Sequence, residues 1–142
     1  MFLVFFIIWI HNQILDVFNP KIVVAVSCCC FVLETSTGTN LHDHNVPCAV
    51  CKSQRPTALM LPGKNRCYDG WNVEYTGYLV AAHSGHEGKS EFICLDGESE
   101  KDESGYRNED GALMYRAAAR CGSLPCPAYE EKRLILCAVC SQ

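Results

Sequence analysis

The clearest pattern of hydrophobic and polar positions is a period-two alternation over residues 71–76. Trp71, Val73 and Tyr75 fall on one side and Asn72, Glu74 and Thr76 on the other, the mark of a half-buried strand. Gly77 interrupts the alternation before Tyr78, Leu79 and Val80 and predicts a bulge. A short apolar run at 57–61 stops at the turn pair Pro62-Gly63, and Asp69-Gly70 marks a second turn. Runs 91–95 and 133–139 read as further strands, each carrying a cysteine inward. The alanines of 113–120 favour helix, but the stretch is short and ends at Cys121, so a strand is expected. Acidic side chains dominate 96–110, which reads as a solvated loop. Its spacing of Asp96, Glu98, Glu100 and Asp102 lacks the glycine and closing glutamate of an EF-hand calcium loop.

Residues 1–45 are of a different kind from 46–142. The apolar run 2–10 fits the core of an export signal and is too short for a stable membrane span. Ala25, Val26 and Ser27 supply the small residues a signal peptidase needs. Yet no basic residue precedes the run, and His11, Asn12, Gln13 and Asp16 interrupt it. The segment therefore reads as signal-like, or as a poorly ordered start with no designed fold. Residues 46–142 are expected to form one small, mostly β, antiparallel domain stapled by disulfides.

Composition sharpens this expectation. Eleven of 142 residues are cysteine, about 8%, near the level at which a short chain reads as a disulfide scaffold. A net charge of -4, with no basic stretch longer than two residues, argues against nucleic acid, whose phosphates demand clustered Lys and Arg. A domain of this size buries a modest core and gains from covalent links.

The sequence Cys-Ala-Val-Cys occurs twice, at Cys48–Cys51 and Cys137–Cys140. Either the pairs belong to disulfides outside the cytosol, or Cys48, Cys51, Cys137 and Cys140 clamp zinc inside it. The zinc reading is the weaker, because paired zinc knuckles are usually about 15–20 residues apart and these are much further. His83 and His86 form a short His-x-x-His without the glutamate of a helical zinc-protease site, and His42 and His44 precede the first knuckle. No metal or other cofactor is expected. No βαβ pattern follows either knuckle, which disfavours a thioredoxin-like motif. Catalysis is not expected either: the cysteines sit in apolar strands beside other cysteines, without the base that activates a thiolate. Trp71, Tyr75 and Tyr78, with His83 and His86, make a candidate glycan-stacking surface, although aromatics at strand spacing are more often core.

Taken in order, these motifs resemble a known family. Cys-Ala-Val-Cys is followed by Cys67-Tyr-Asp-Gly-Trp71, Glu74-Tyr-Thr-Gly-Tyr-Leu79, Phe92-Ile-Cys-Leu-Asp96, Ala119-Arg-Cys-Gly-Ser-Leu-Pro-Cys-Pro127 and a second Cys-Ala-Val-Cys. The series resembles the C-terminal domain of sponge short-chain (spongin-like) collagens and their collagen-free marine invertebrate relatives. More distantly it resembles the non-collagenous C-terminal domain of type IV collagen, where such a pair closes each of two tandem halves. The resemblance covers residues 46–140 and corresponds to the second half. It implies that Cys67 pairs with Cys140, Cys94 with Cys137, and Cys121 with Cys126. Cys48 and Cys51 are then the unmatched closing pair of a first half that has no counterpart here: either that half is truncated, or Cys28, Cys29 and Cys30 substitute for its partners, or the pair bonds to another chain. No Gly-X-Y triplet is present, so the chain forms no triple helix. The resemblance implies a secreted, non-enzymatic matrix or self-association module, with like chains or other matrix proteins as partners and a homo-oligomer as its state. A secreted lectin-like or immune recognition protein is the alternative, and an intracellular zinc module comes third.

Overall fold

The computed structural model describes residues 4–7, 24–26, 30–32, 44–46, 48–52, 55–85, 87, 91–99, 112–122 and 124–142. Its strands are β1 (Val4–Ile7), β2 (Val24–Val26), β3 (Cys30–Val32), β4 (His44–Asn45), β5 (Cys48–Lys52), β6 (Ala58–Pro62), β7 (Asn72–Ala81), β8 (Ile93–Asp96), β9 (Ala112–Arg116) and β10 (Leu136–Ser141). There is no helix among the described residues, and so none long and apolar enough to cross a membrane. The chain is a small, mostly-β, disulfide-stabilised domain, and among the described strands every pair is antiparallel except β3 with β9. The strands expected near 57–61, 71–80, 91–95 and 133–139 all form, and the ambiguous 113–120 run forms β9 rather than a helix. The apolar run 2–10, the small residues before Cys28, and most of the acidic loop lie wholly or partly outside the described residues.

The two Cys-Ala-Val-Cys copies take the same place in the topology. β10 lies between β6 and β7, and β5 lies between β1 and β2, each central strand antiparallel to both neighbours. The registers match as well. Cys140 faces Leu59 and Cys137 faces Gly77, while Cys51 faces Phe5 and Cys48 faces Val26. Each unit thus runs outer strand, second outer strand, then the cysteine strand inserted between them. Beyond the second outer strand the units diverge. β7 continues to pair with β8 and β9, whereas β3 crosses to lie parallel with β9.

β7 organises the apolar interior. Successive side chains of a strand point to opposite faces, and the neighbours Leu79 and Val80 accordingly enter different clusters. Leu79 joins Cys94, Cys137 and Val139, bordered by Met60, Tyr75, Ala117 and Ile135. Val80 joins Val46 and Leu95, bordered by Ile93 and Met114. A third cluster holds Leu61, Ala138 and Cys140 with Cys67 and Trp71. Val80, Leu95 and Val46 are essentially sealed from solvent, and burial of each stabilises by about 1.5–3 kcal/mol relative to exposure. At Leu79 three segments close a ring of backbone hydrogen bonds. Leu79 N donates to Ile135 O (2.9 Å), Ile135 N to Ala117 O (2.9 Å), and Ala117 N to Leu79 O (2.8 Å).

Two local expectations are corrected. The bulge falls at Glu74, not Gly77: pairing passes from Tyr75 opposite Val139 to Val73 opposite Cys140, which leaves Glu74 as the extra residue. Its carboxylate is drawn to the Ser141 hydroxyl and the Arg55 guanidinium, which explains the location. Asp96 is the last residue of β8 and is buried rather than the first residue of a solvated loop. Backbone pairing with Gly77 holds it, and its Oδ1 accepts from Glu98 N at 2.9 Å.

Candidate functional site

The chemistry of this chain concentrates on β10, whose two cysteines are fastened in opposite directions. Cys137 and Cys140 are three apart in a strand, so they address opposite faces of the sheet. On one face Cys140 bonds to Cys67, in the loop between β6 and β7. On the other, Cys137 bonds to Cys94 of β8. Both links have a Cα–Cα distance of 5.8 Å, within the range a disulfide requires.

The second link depends on a close approach. β8 and β10 are both partners of β7, and strands flanking a third in a flat sheet lie about 9.5 Å apart. They come together because β8 rides over β7 at Gly77. A Cβ added there would overlap the Leu95 carbonyl oxygen and stand 2.7 Å from Gly97 N. The φ of Gly77 is not in the left-handed region, so glycine is needed for space rather than backbone freedom. The third link, Cys121–Cys126, closes a separate local loop around Gly122, whose φ of 121° is in the region that favours glycine. These are the three pairs that the resemblance implies. Cys48 and Cys51 lie on β5, and Cys30 begins β3, while Cys28 and Cys29 fall outside the described residues.

Polar groups brace the same core. Tyr75 donates its hydroxyl to the Cys94 carbonyl at 3.0 Å. Burial, and then the nearby Asp96 carboxylate, push the Tyr75 pKa up to about 12. Burial also raises the Asp96 pKa, against the lowering effect of its hydrogen bond from Glu98 N. Beside the bulge, Ser141 is 1% exposed and donates to Glu74 Oε1. Arg55 Nη1 donates to Glu74 Oε1 at 3.0 Å and to Ser141 Oγ at 3.2 Å. Thr57 and Gln142 exchange backbone hydrogen bonds of 3.2 and 3.1 Å just beyond, so the C-terminal end of β10 is held on both sides. The spacing pattern showed neither this clasp nor the role of Gly77. Their trace in the sequence is limited to Glu74 and Gly77 within the alternating stretch 71–80.

The four described residues of the candidate ligand surface are dispersed. Trp71 packs against the Leu61 cluster and Tyr75 against the Leu79 cluster. Tyr78 lies beneath the Arg116 guanidinium, 4.0 Å from its ring centre. His83 is exposed, its ring 5.1 Å from Tyr115 and its Nδ1 accepting from Gly85 N at 3.1 Å. His86 and His42 lie outside the described residues. His44 forms half of β4, with its Nδ1 buried and without a hydrogen-bond partner.

Oxidation of Cys137 and Cys140 also removes two of the four ligands that the zinc reading needs, since a disulfide sulfur offers no thiolate. Among the described residues, no group of three or more His, Cys, Asp or Glu is arranged to hold a metal ion. Several disulfide-bonded pairs in one small domain are compatible with an extracellular location. In comparisons with known proteins, no family model, no curated protein and no solved structure matches the chain.

Proposed function

We propose that the chain is a secreted, non-enzymatic module of the extracellular matrix type, related to the C-terminal domain of short-chain collagens, that works by associating with like chains. The observation that carries this reading is the double fastening of β10. Disulfides from opposite faces close loops spanning 73 and 43 residues around one central strand. Such closures each constrain the unfolded chain by about 4 kcal/mol taken singly, and less when nested. That framework is of value where proteins must persist in an oxidising medium without chaperones, and it is unstable as a design for the reducing cytosol. The same three pairs, together with the motif order from Cys48 to Cys140, support the short-chain-collagen kinship.

The test is expression in eukaryotic cells with the natural N-terminus, followed by non-reducing peptide mapping and light scattering of the medium fraction. The expected result is export, the three mapped pairs, and an assembly larger than one chain at micromolar concentration. Intracellular retention with free thiols, or a monodisperse monomer, refutes the proposal. The lectin-like alternative receives less support, because Trp71 and Tyr75 are committed to two separate apolar clusters.

A further inference from the structure

The three disulfides differ in how far an outside reagent can reach them. Cys137 and Cys140 are sealed from solvent, and Cys94 is 3% exposed. Cys67, the fourth sulfur of the two long links, is half-buried against the Leu61 cluster. Its Sγ stands 3.7 Å from the Asn72 carbonyl oxygen and 3.9 Å from that of Val139. Those oxygens carry partial negative charge and repel an approaching thiolate. Cys126 is different. It is exposed, within a run from 125 to 133 that is exposed throughout. Its partner Cys121 is half-buried and anchored: its N–H donates to Glu131 Oε2, and its backbone bridges Leu124.

Opening this link also disturbs the domain least. Its sequence separation is 5, against 43 for Cys94–Cys137. In the loop-entropy model its loss lowers the folding equilibrium constant about 25-fold less. Neither Cys121 nor Cys126 lines any of the three apolar clusters, so the bond opens without breaching the interior.

We propose that Cys121–Cys126 is a thiol-exchange site, at which the domain reversibly takes a small free thiol onto Cys126. The proposal rests on the oxidising compartment of the proposed function, where the bond is made. An external thiolate attacks Cys126 Sγ in line with the existing bond. A new S–S bond forms to Cys126, and the electron pair of the old bond leaves on Cys121, which water protonates. One S–S bond forms for each that breaks, so the step needs no further oxidant or reductant. Cys121 reverses it by attacking the mixed disulfide and expelling the small thiol.

The experiment uses the full secreted chain, folded and oxidised, with reduced glutathione as the probe. Samples are quenched in acid over time, alkylated and peptide-mapped, while circular dichroism follows the fold. Expected is a glutathionyl group on Cys126 with Cys121 alkylated. It should appear on the order of tenfold or more faster than either long link opens. The fold is expected to persist, and removal of glutathione to restore the Cys121–Cys126 peptide. In a Cys121→Ser variant charged with oxidised glutathione, the adduct on Cys126 is expected to survive that removal. No adduct on Cys126, an adduct on Cys121 instead, or opening of a long link at the same rate or sooner overturns the proposal. Any of these, in protein exported as an assembly with its three pairs, leaves the proposed function standing. Failed export or a monomer sinks the function alone when purified, oxidised protein still exchanges at Cys126.

Discussion

Replacing Gly77 by alanine tests the crossing on which the Cys94–Cys137 link depends. The added methyl meets backbone, not a flexible side chain: the Leu95 carbonyl sits in its place and Gly97 N stands 2.7 Å away. Overpacking an interior costs about 1–3 kcal/mol even where side chains can shift. Here the obstacle is the β8 main chain, so about 3 kcal/mol is the lower bound. If β8 instead withdraws from β7, Cys94 moves away from Cys137, and loss of a 43-residue closure forfeits about 4 kcal/mol more. Native stabilities are about 5–15 kcal/mol, so the second route leaves little folded protein. Urea unfolding of the secreted variant, with quantitation of the Cys94–Cys137 peptide, separates the two. Gly63→Ala is the control: its φ is 75°, with nothing within 4 Å of the added Cβ. It is expected to cost only the left-handed penalty of about 1–2 kcal/mol. Were Gly77→Ala to unfold within about 0.5 kcal/mol of the parent, a typical neutral surface change, the crossing of β8 over β7 would be wrong.

Three further outcomes are expected from the bracing groups and the links. Tyr75→Phe removes the bond to the Cys94 carbonyl and is expected to cost about 1 kcal/mol in chemical denaturation. Because the folded pKa of Tyr75 is raised to about 12 from an ordinary 10.0, its hydroxyl stabilises the fold fully below pH 10. That contribution fades as pH climbs toward 12, and ultraviolet titration of the native protein should show one tyrosine ionising late. Asp96 behaves in the same sense from an ordinary 3.8: a raised folded pKa means its ionisation weakens the fold as pH rises through that value. Asp96→Asn, which keeps the acceptor for Glu98 N, is therefore expected to be at least as stable as the parent at pH 7. The advantage should vanish in denaturation curves taken below the ordinary value. Finally, Cys121→Ser with Cys126→Ser opens a closure of 5 residues and should cost about 2 kcal/mol, against about 4 for opening Cys67–Cys140; thermal unfolding of the two double variants ranks them.

Much of the fold was legible because its strands are short, apolar and punctuated. Pro62-Gly63 and Asp69-Gly70 bound β6 and β7, and the alternation from Trp71 marks β7 as a strand. The bulge at Glu74 nevertheless breaks its single face: Trp71 and Tyr75 enter different clusters and Val73 is exposed. What escaped were features that depend on a second segment. A glycine interrupting a strand serves equally for a bulge or for close approach, and only the position of Leu95 shows that Gly77 is the latter. The bulge at Glu74 depends on Arg55 and Ser141, both remote in sequence. Asp96 looked like the start of an acidic loop because charge pattern cannot reveal a backbone partner. The dispersal of Tyr75 and Tyr78, by contrast, was readable: residues three apart in a strand face opposite sides. The disulfide pairing was an implication of the family resemblance alone, since the residues and their spacing leave many connectivities open.

The position of β10 has a mechanical consequence. Tension that reaches β10 from the chain beyond Cys140 passes at once into a covalent bond with Cys67. Without that bond, the chain from Cys67 to Cys140, a sequence separation of 73, could unravel to about 250 Å of extended chain. With it, a pull from that end cannot peel β10 away from β6 and β7 strand by strand. The domain then transmits force as an almost inextensible knot, and its compliance resides in the chain ahead of Cys67.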